Sequence, residues 1–149
     1  MKLRIKDKHN REYRVYHGPL DNSPCYSMHL SAWAEMIEKG WALPIQGWQA
    51  SSKAVAISDP ESGKCVGYIC YQDGDSETVW LTLTYVIPSY RGRGLHRAMY
   101  YVFEQIQIER GKNSISSLVH VNNEYAMKNI KETGRELLYY KAYKELPRE

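Results

Sequence analysis

The chain has 149 residues, of which 43% are hydrophobic and 25% charged, and a formal net charge of +3. These values suit one domain, residues 1–149, with a packed core, and they exclude a disordered or fibrous chain. A charge excess this small argues against nucleic acid as the main partner, and no run approaches the ~18 apolar residues of a membrane span.

Residues 2–6 alternate polar and apolar with Leu3 and Ile5 on one side, and residues 12–17 do so with Tyr13, Val15 and His17. With the polar Asp7-Lys8-His9-Asn10 between them, they predict an opening hairpin. The basic residues Lys2, Arg4, Lys6, Lys8, Arg11 and Arg14 read as a solvated edge strand. Turn residues at 18–24 precede a predicted helix with Leu30, Trp33, Ala34 and Ile37 on one face, stopped at Gly40. Residues 41–52, with Trp41, Pro44, Gly47 and Trp48, read as an irregular loop or a short second helix.

Three strands follow at 53–58, 64–71 and 77–87, joined by hairpin-type connections that make them antiparallel neighbours. After Pro88 the period changes. Leu95, Ala98, Met99, Val102, Phe103 and Ile106 mark the best amphipathic helix in the chain, ended by Gly111. A strand at 114–121 comes next. Asn122 or Asn123 can cap a helix bearing Ala126, Met127 and Ile130, which Gly134 ends. Residues 136–145 predict a final strand. The order implies an α+β (mixed α/β) fold, a single mixed, largely antiparallel sheet flanked by helices, with strands 77–87 and 114–121 parallel across a helical crossover.

Cys25, Cys65 and Cys70 match no zinc pattern and no redox pair, which predicts reduced thiols in a cytoplasmic setting. The five histidines include no His-x-x-x-His pair, so no metal is expected. No apolar stretch follows the early basic residues, so no signal peptide is expected.

The informative stretch is Thr84-Tyr85-Val86-Ile87-Pro88-Ser89-Tyr90-Arg91-Gly92-Arg93-Gly94-Leu95-His96-Arg97. A strand runs into a glycine-rich turn that opens the best helix. The first N–H groups of a helix lack intrahelical partners and, with the helix dipole, form an anion site. Gly92 and Gly94 let the backbone approach a phosphate, and Arg91, Arg93 and Arg97 add positive charge. Alone, Arg-Gly-Arg-Gly is equally a tight turn with solvated arginines; its place between strand and helix favours a pyrophosphate. A dinucleotide turn would need a third glycine where Arg97 stands, and a nucleoside-triphosphate loop would end in Gly-Lys-Ser/Thr. Coenzyme A remains.

The stretch resembles the acetyl-CoA turn of the GCN-five-related N-acetyltransferases, the GNAT superfamily, whose pattern is Arg/Gln-x-x-Gly-x-Gly/Ala after Val-x-Pro. Here Val86-Ile87-Pro88 precedes Arg91-Gly92-Arg93-Gly94-Leu95-His96. The family's downstream Asn-x-x-Ala is matched by Asn123 and Ala126, and the order of elements agrees from about residue 12 onward. The resemblance implies an N-acetyltransferase with acetyl-CoA as acyl donor and a primary amine, of a small molecule or a protein, as acceptor. It implies that backbone groups of Thr84, Tyr85 and Val86 pair with the pantetheine arm. The turn from Gly92 to Arg97 would hold the pyrophosphate, and Asn123 the pantetheine or thiol end. The thioester would lie where the two parallel strands splay, and the amine would enter beside the first helix and the 41–50 loop.

Three departures bear on chemistry. His96 replaces the turn's last small residue; it is tolerated there if it points outward, and otherwise it either crowds the phosphates or, as His⁺, aids them. Ile130 replaces the family's Tyr, the usual acid for the departing thiolate, leaving Tyr125 or Tyr85 as substitutes. Leu118 stands where some members carry a Glu base; His120, on the same strand face, is the first alternative and Glu77 the second. Trp33, Trp41 and Trp48 either line an acceptor pocket or pack in the core. Without acid and base, the alternative is a catalytically degenerate CoA-binding or partner-binding module of the same fold. Action on a nucleic acid or on an aminoacyl-tRNA would require the basic amino-terminal residues to face the cleft; pairing into a homodimer stays open.

Overall fold

The computed structural model describes residues 4–41, 52–120, 122–137, 144 and 147. The loop at 42–51, Trp48 included, and the strand expected at 136–145, apart from three residues of no regular structure, lie outside the described residues.

Six strands are described: β1 (Arg4–Lys6), β2 (Glu12–Pro19), β3 (Lys53–Ser58), β4 (Cys65–Asp73), β5 (Thr78–Val86) and β6 (Ser114–Ser117). They form one sheet in chain order. All neighbours are antiparallel except β5 and β6, which are parallel as the crossover requires. Three helices accompany them: α1 (His29–Glu38), α2 (Leu95–Glu109) and α3 (Glu124–Glu132).

The period-2 pattern of the central strands supplies two apolar faces. Val55 and Ile57 of β3 and Ile69 and Tyr71 of β4 face a core shared with Leu95, Met99, Val102, Phe103 and Ile106 of α2. Ala54, Ala56, Tyr68 and Cys70 face the other way, toward Ala32 and Met36 of α1. Fully burying a side chain the size of those on α2 contributes roughly 1.5–3 kcal/mol each. α2 therefore fixes the turn before it on the sheet.

The face of α1 differs from the expected one. Leu30 and Ile37 are 81% and 67% exposed, while His29, Ala32 and Met36 are buried. The helix is rotated by about one residue because its polar His29 has a partner in the core: its Nδ1 lies 2.7 Å from the Tyr68 hydroxyl, and Trp33 Nε1 donates to its Nε2 at 3.0 Å. Trp33 thus packs as a core anchor.

A bulge in β5 shapes the site. Leu81 pairs with Tyr71 and Leu83 with Cys70, so Thr82 is an extra residue, and its hydroxyl donates to the Cys70 carbonyl at 3.0 Å. The bulge reverses the strand's faces. Val79 and Leu81 pack on the α2 side, whereas Leu83 and Tyr85 pack on the α1 side. The ladder to β6 ends at the same place, with Leu81 opposite Ser117. The strand expected at 114–121 is therefore only four residues long.

Candidate functional site

Beyond Leu81, β5 runs on to Val86 with no ladder to β6, and a cleft of about 290 Å³ opens between the two strands. Its walls come from Glu35, Met36 and Lys39 of α1, from β5 between Leu81 and Val86, from residues 117–120, and from α3. Thr84, Tyr85 and Val86 thus present a strand edge to the cleft, the arrangement an extended amide chain needs for pairing.

At the strand's end Pro88–Tyr90 forms a short 3-10 turn, and Gly92 and Gly94 take positive φ of 78° and 77°. An L side chain at either position would be strained, so glycine lets the chain reverse into α2. The first intrahelical bond is donated by the Ala98 N–H to the Gly94 carbonyl at 3.1 Å. The N–H groups of Leu95, His96 and Arg97 precede it and form the helix mouth. The Leu95 side chain is in the core, so this residue offers only its backbone.

Two of the three arginines of the turn have separate partners. Arg91 Nη2 donates to the Glu35 carboxylate at 2.6 Å, and its Nε to the Val86 carbonyl at 2.7 Å. Arg93 lies over the Tyr90 ring at 4.5 Å. Arg97 is exposed. Only Arg93 and Arg97 therefore stay near the mouth; Arg91 braces the turn against α1.

The hairpin before β2 meets the same turn, a contact unforeseen from its solvated-edge reading. The Lys8 N–H donates to the Arg93 carbonyl at 2.9 Å. Asp7 builds the hairpin loop: its carboxylate accepts the N–H groups of His9 and Arg11 at 2.8 and 3.1 Å and the Tyr13 hydroxyl at 2.8 Å. Burial opposes this charge, but those hydrogen bonds outweigh it and hold the Asp7 carboxyl below its ordinary range. Behind the turn, the Tyr90 hydroxyl donates to Asp59 at 2.7 Å, and Arg11 pairs with the same carboxylate.

His96 takes the inward of the orientations left open by the sequence. Its ring is turned inward, not outward: the residue is 8% exposed, lines the cleft, and meets Tyr125 edge-on at 6.4 Å. Burial, and secondarily the Arg135 charge, push its pKa down to about 4, so the ring is neutral. The phase of α2 explains the orientation. Residues 95, 96, 99, 100, 102, 103, 106 and 107 are all buried, so position 96 belongs to the inner face.

Ile130 lines the cleft where the family pattern has Tyr. Tyr125, 53% exposed, also borders it. Tyr85 is pushed above its ordinary pKa by burial and by the Glu35 charge, so it is a donor at neutral pH. His120 lines the cleft, but its Nδ1 accepts the Asn122 N–H at 3.1 Å. In that geometry the neutral ring carries its proton on Nε2, which makes it a donor and not the free lone pair a base needs. Asn123 spends its Oδ1 as the cap of α3, accepting the Ala126 N–H at 3.0 Å. Its amide nitrogen is the part that can reach a ligand. Glu77 is not at the cleft. It precedes β5 at the opposite end of the strand, where its carbonyl accepts the Asn113 N–H at 2.7 Å.

Glu35, Lys39 and Arg135 line the cleft unannounced by any motif. Arg135 follows Gly134; it lies over Tyr100 at 4.8 Å and donates to Ser117 Oγ at 3.0 Å. A single acidic residue between Ala32 and Met36 was the available sign for Glu35. Among the described residues no group of three or more His, Cys, Asp or Glu is arranged to hold a metal ion, and no helix is long and apolar enough to cross a membrane.

A model of the acetyltransferase (GNAT) family matches residues 22–134. No curated protein matches the sequence. Solved structures share the fold at low identity. An aminoglycoside acetyltransferase, meta-AAC0020, from an uncultured soil metagenomic sample is 11% identical over 91% of this chain and 97% of its own, with a TM-score of 0.66. A ribosomal-protein-alanine N-acetyltransferase from Brucella melitensis biovar Abortus 2308 is 14% identical, covering 90% of this chain and 98% of its own, with a TM-score of 0.66. Aminoglycoside N-acetyltransferase AAC(6')-Iy, solved with CoA, is 14% identical over 90% of this chain and 99% of its own, with a TM-score of 0.63.

Proposed function

The chain belongs to the acetyltransferase (GNAT) family and is an acetyl-CoA-dependent N-acetyltransferase, and from that premise we propose which groups do the work and what the acceptor is. The carrying observation is the splay of β5 from β6 beyond Leu81, which opens a cleft that Arg91 and His96 of the turn help to line. The pyrophosphate takes the mouth, with Gly92 and Gly94 giving it room and Arg93 and Arg97 supplying charge. The pantetheine arm pairs with the cleft edge of Thr84, Tyr85 and Val86, where Arg91 already occupies one lone pair of the Val86 carbonyl. This places the thioester at the splay, beside Tyr125 and His120.

The acceptor is a primary amine of a small molecule or a protein, entering along Glu35, Lys39 and Trp41 of the α1 side. Aminoglycosides and a ribosomal protein are the acceptor classes named for fold neighbours, and both present such amines. The neutral amine attacks the thioester carbonyl. The carbon–sulfur bond breaks, Tyr125 protonates the departing thiolate, and the proton shed by nitrogen leaves to water. The Nε2–H of His120 stabilises the negative charge that develops on the thioester oxygen, a role suited to a neutral imidazole.

Calorimetric titration with acetyl-CoA, followed by thiol release over a panel of amines, tests the reading. Binding with turnover of at least one amine is expected. Binding without turnover across the panel would favour a degenerate CoA-binding module, and no binding at millimolar acetyl-CoA would overturn the site. Replacing Gly94 with Val should abolish binding.

A further inference from the structure

Cys25 and Cys65 form a pair that no spacing motif announces. Cys25, ahead of α1, is fully buried, whereas Cys65 opens β4 and is partly exposed. Both belong to the apolar cluster between α1 and the sheet. There the Cys25 thiol lies against the Cys65 thiol, close enough for its S–H to bond the second sulfur. Cys25 is also fixed from behind: its Sγ lies 2.7 Å from Ser23 Oγ, and that hydroxyl bonds the Leu20 carbonyl at 2.7 Å. Both thiols are free. Cys70, buried on the same face of the sheet, has Thr82 and Ser52 as its bonding neighbours instead.

The pair divides the roles that disulfide formation needs. One sulfur must be reachable and ionise, and the other must wait within reach of it. The bond from Cys25, against the opposing effect of burial, holds the Cys65 thiol below its ordinary range. The same bond, and burial next, lift the Cys25 thiol above its own. Cys65, the exposed member, is thus the thiolate that meets an oxidant. Hydrogen peroxide supplies the oxidising equivalents. The Cys65 thiolate attacks one peroxide oxygen, the O–O bond breaks, and the departing oxygen takes a proton and leaves as water. The Cys25 sulfur then attacks the Cys65 sulfenic acid. An S–S bond forms, the S–O bond breaks, and the Cys25 proton leaves with the oxygen as a second water.

We propose that Cys25 and Cys65 are an oxidative modification site that closes to an intramolecular disulfide, with Cys70 left as a thiol. The bond joins the segment that leads into α1 to the start of β4. α1 carries Glu35, Met36 and Lys39 into the cleft wall. The Val66 carbonyl, next to Cys65, accepts the Ile87 N–H at 2.9 Å just ahead of the phosphate turn. Closure therefore clamps the acceptor wall onto the strand that supports the donor site. The inference does not depend on which amine is acetylated.

The test treats the native wild-type protein with equimolar hydrogen peroxide, alkylates the remaining thiols in denaturant, and maps unreduced peptides by mass spectrometry. Peptides joined through Cys25 and Cys65, lighter by two hydrogens, are expected, with Cys70 alkylated. In C25A the reaction should stop at a Cys65 sulfenic acid, which dimedone traps. Closing the loop between the two residues should raise Tm by roughly 5 °C in wild type and not in C65S. Three intact thiols, a bond to Cys70, disulfide-linked dimers, or Cys65 oxidised to the sulfinic acid beside an untouched Cys25 would each overturn the proposal. A lower Tm on closure would overturn it too, because the contact would then have to be forced. These readouts need neither acetyl-CoA nor an acceptor, so their failure leaves the acetyltransferase reading standing.

Discussion

The Arg91 guanidinium lies 2.6 Å from the Glu35 carboxylate and caps the Val86 carbonyl at 2.7 Å, so one side chain joins α1, the end of β5 and the phosphate turn. The pair is half-buried, where an ion pair is screened less than at the surface. E35A and R91A should each lower stability by about 1–2 kcal/mol, and the double variant should be little worse than the poorer single one, because both remove the same link. Chemical denaturation of the four proteins measures the coupling. Full additivity would mean that the two residues act separately. R91A should also raise the KM for acetyl-CoA more than E35A does, since it alone removes the Nε–H that orients the Val86 carbonyl at the strand edge.

Asp59 makes the turn sensitive to acid. Its side chain has no exposed surface. The Tyr90 hydroxyl is the main influence; against the opposing effect of burial, it and the Glu61 N–H and Arg11 guanidinium hold the carboxyl below its ordinary range. A carboxylate depressed in the folded state contributes stability that is complete above its unfolded value, near about 4. That contribution is lost as the pH falls through the lower folded value. Asp7 acts in the same direction. D59N should therefore be less stable than wild type at neutral pH by about 2 kcal/mol or more, the usual cost of breaking a buried hydrogen-bonded charge. Its Tm should also fall less steeply below pH 4. Parallel melting curves of both proteins at the two ends of this range would expose the role as wrong.

The Lys8 N–H bonds the Arg93 carbonyl, and a Cβ added at Gly94 would lie 3.9 Å from Lys8 Cβ. The Lys8 side chain therefore leaves the backbone beside the turn, within reach of the helix mouth. K8E should raise the KM for acetyl-CoA several-fold at low salt and leave kcat unchanged. Since screening weakens exposed charges over ~10 Å at 0.1 M salt, the difference should shrink as salt is added. A KM insensitive to this reversal of charge would remove Lys8 from the donor site.

The elements that the sequence made legible were those whose periodicity reflects burial on one face. Leu95, Met99, Val102, Phe103 and Ile106 announced α2, and the turn ahead of it followed from two glycines and three arginines. What stayed hidden depends on contacts distant in the chain. The face of α1 is set by His29 meeting Tyr68, so Leu30 and Ile37, apolar by type, are left in solvent. The bulge at Thr82 arises between β4 and β5, and no local pattern marks it. The chain alternates without interruption through Val79, Leu81, Leu83 and Tyr85 while the faces exchange. The docking of the hairpin on the turn runs through a backbone hydrogen bond, to which side-chain patterning is blind.

With Ile at position 130, the proposed reaction needs another group to protonate sulfur, and Tyr125 is a phenol that α3 brings to the cleft. Y125F should lower kcat by roughly 10–100-fold, below or near the lower end of what one general acid supplies, because water can replace it in part. The role proposed for His120 is different. Its Nδ1 is engaged by Asn122, so only the Nε2–H is available, and a donor that acts on the transition state affects kcat without changing how the donor substrate binds. H120A should reduce kcat by about 100-fold with the KM for acetyl-CoA within twofold of wild type. H120A with a raised KM and an intact kcat would instead place the ring in ground-state binding. Were Y125F to retain full activity, the thiolate must take its proton directly from solvent.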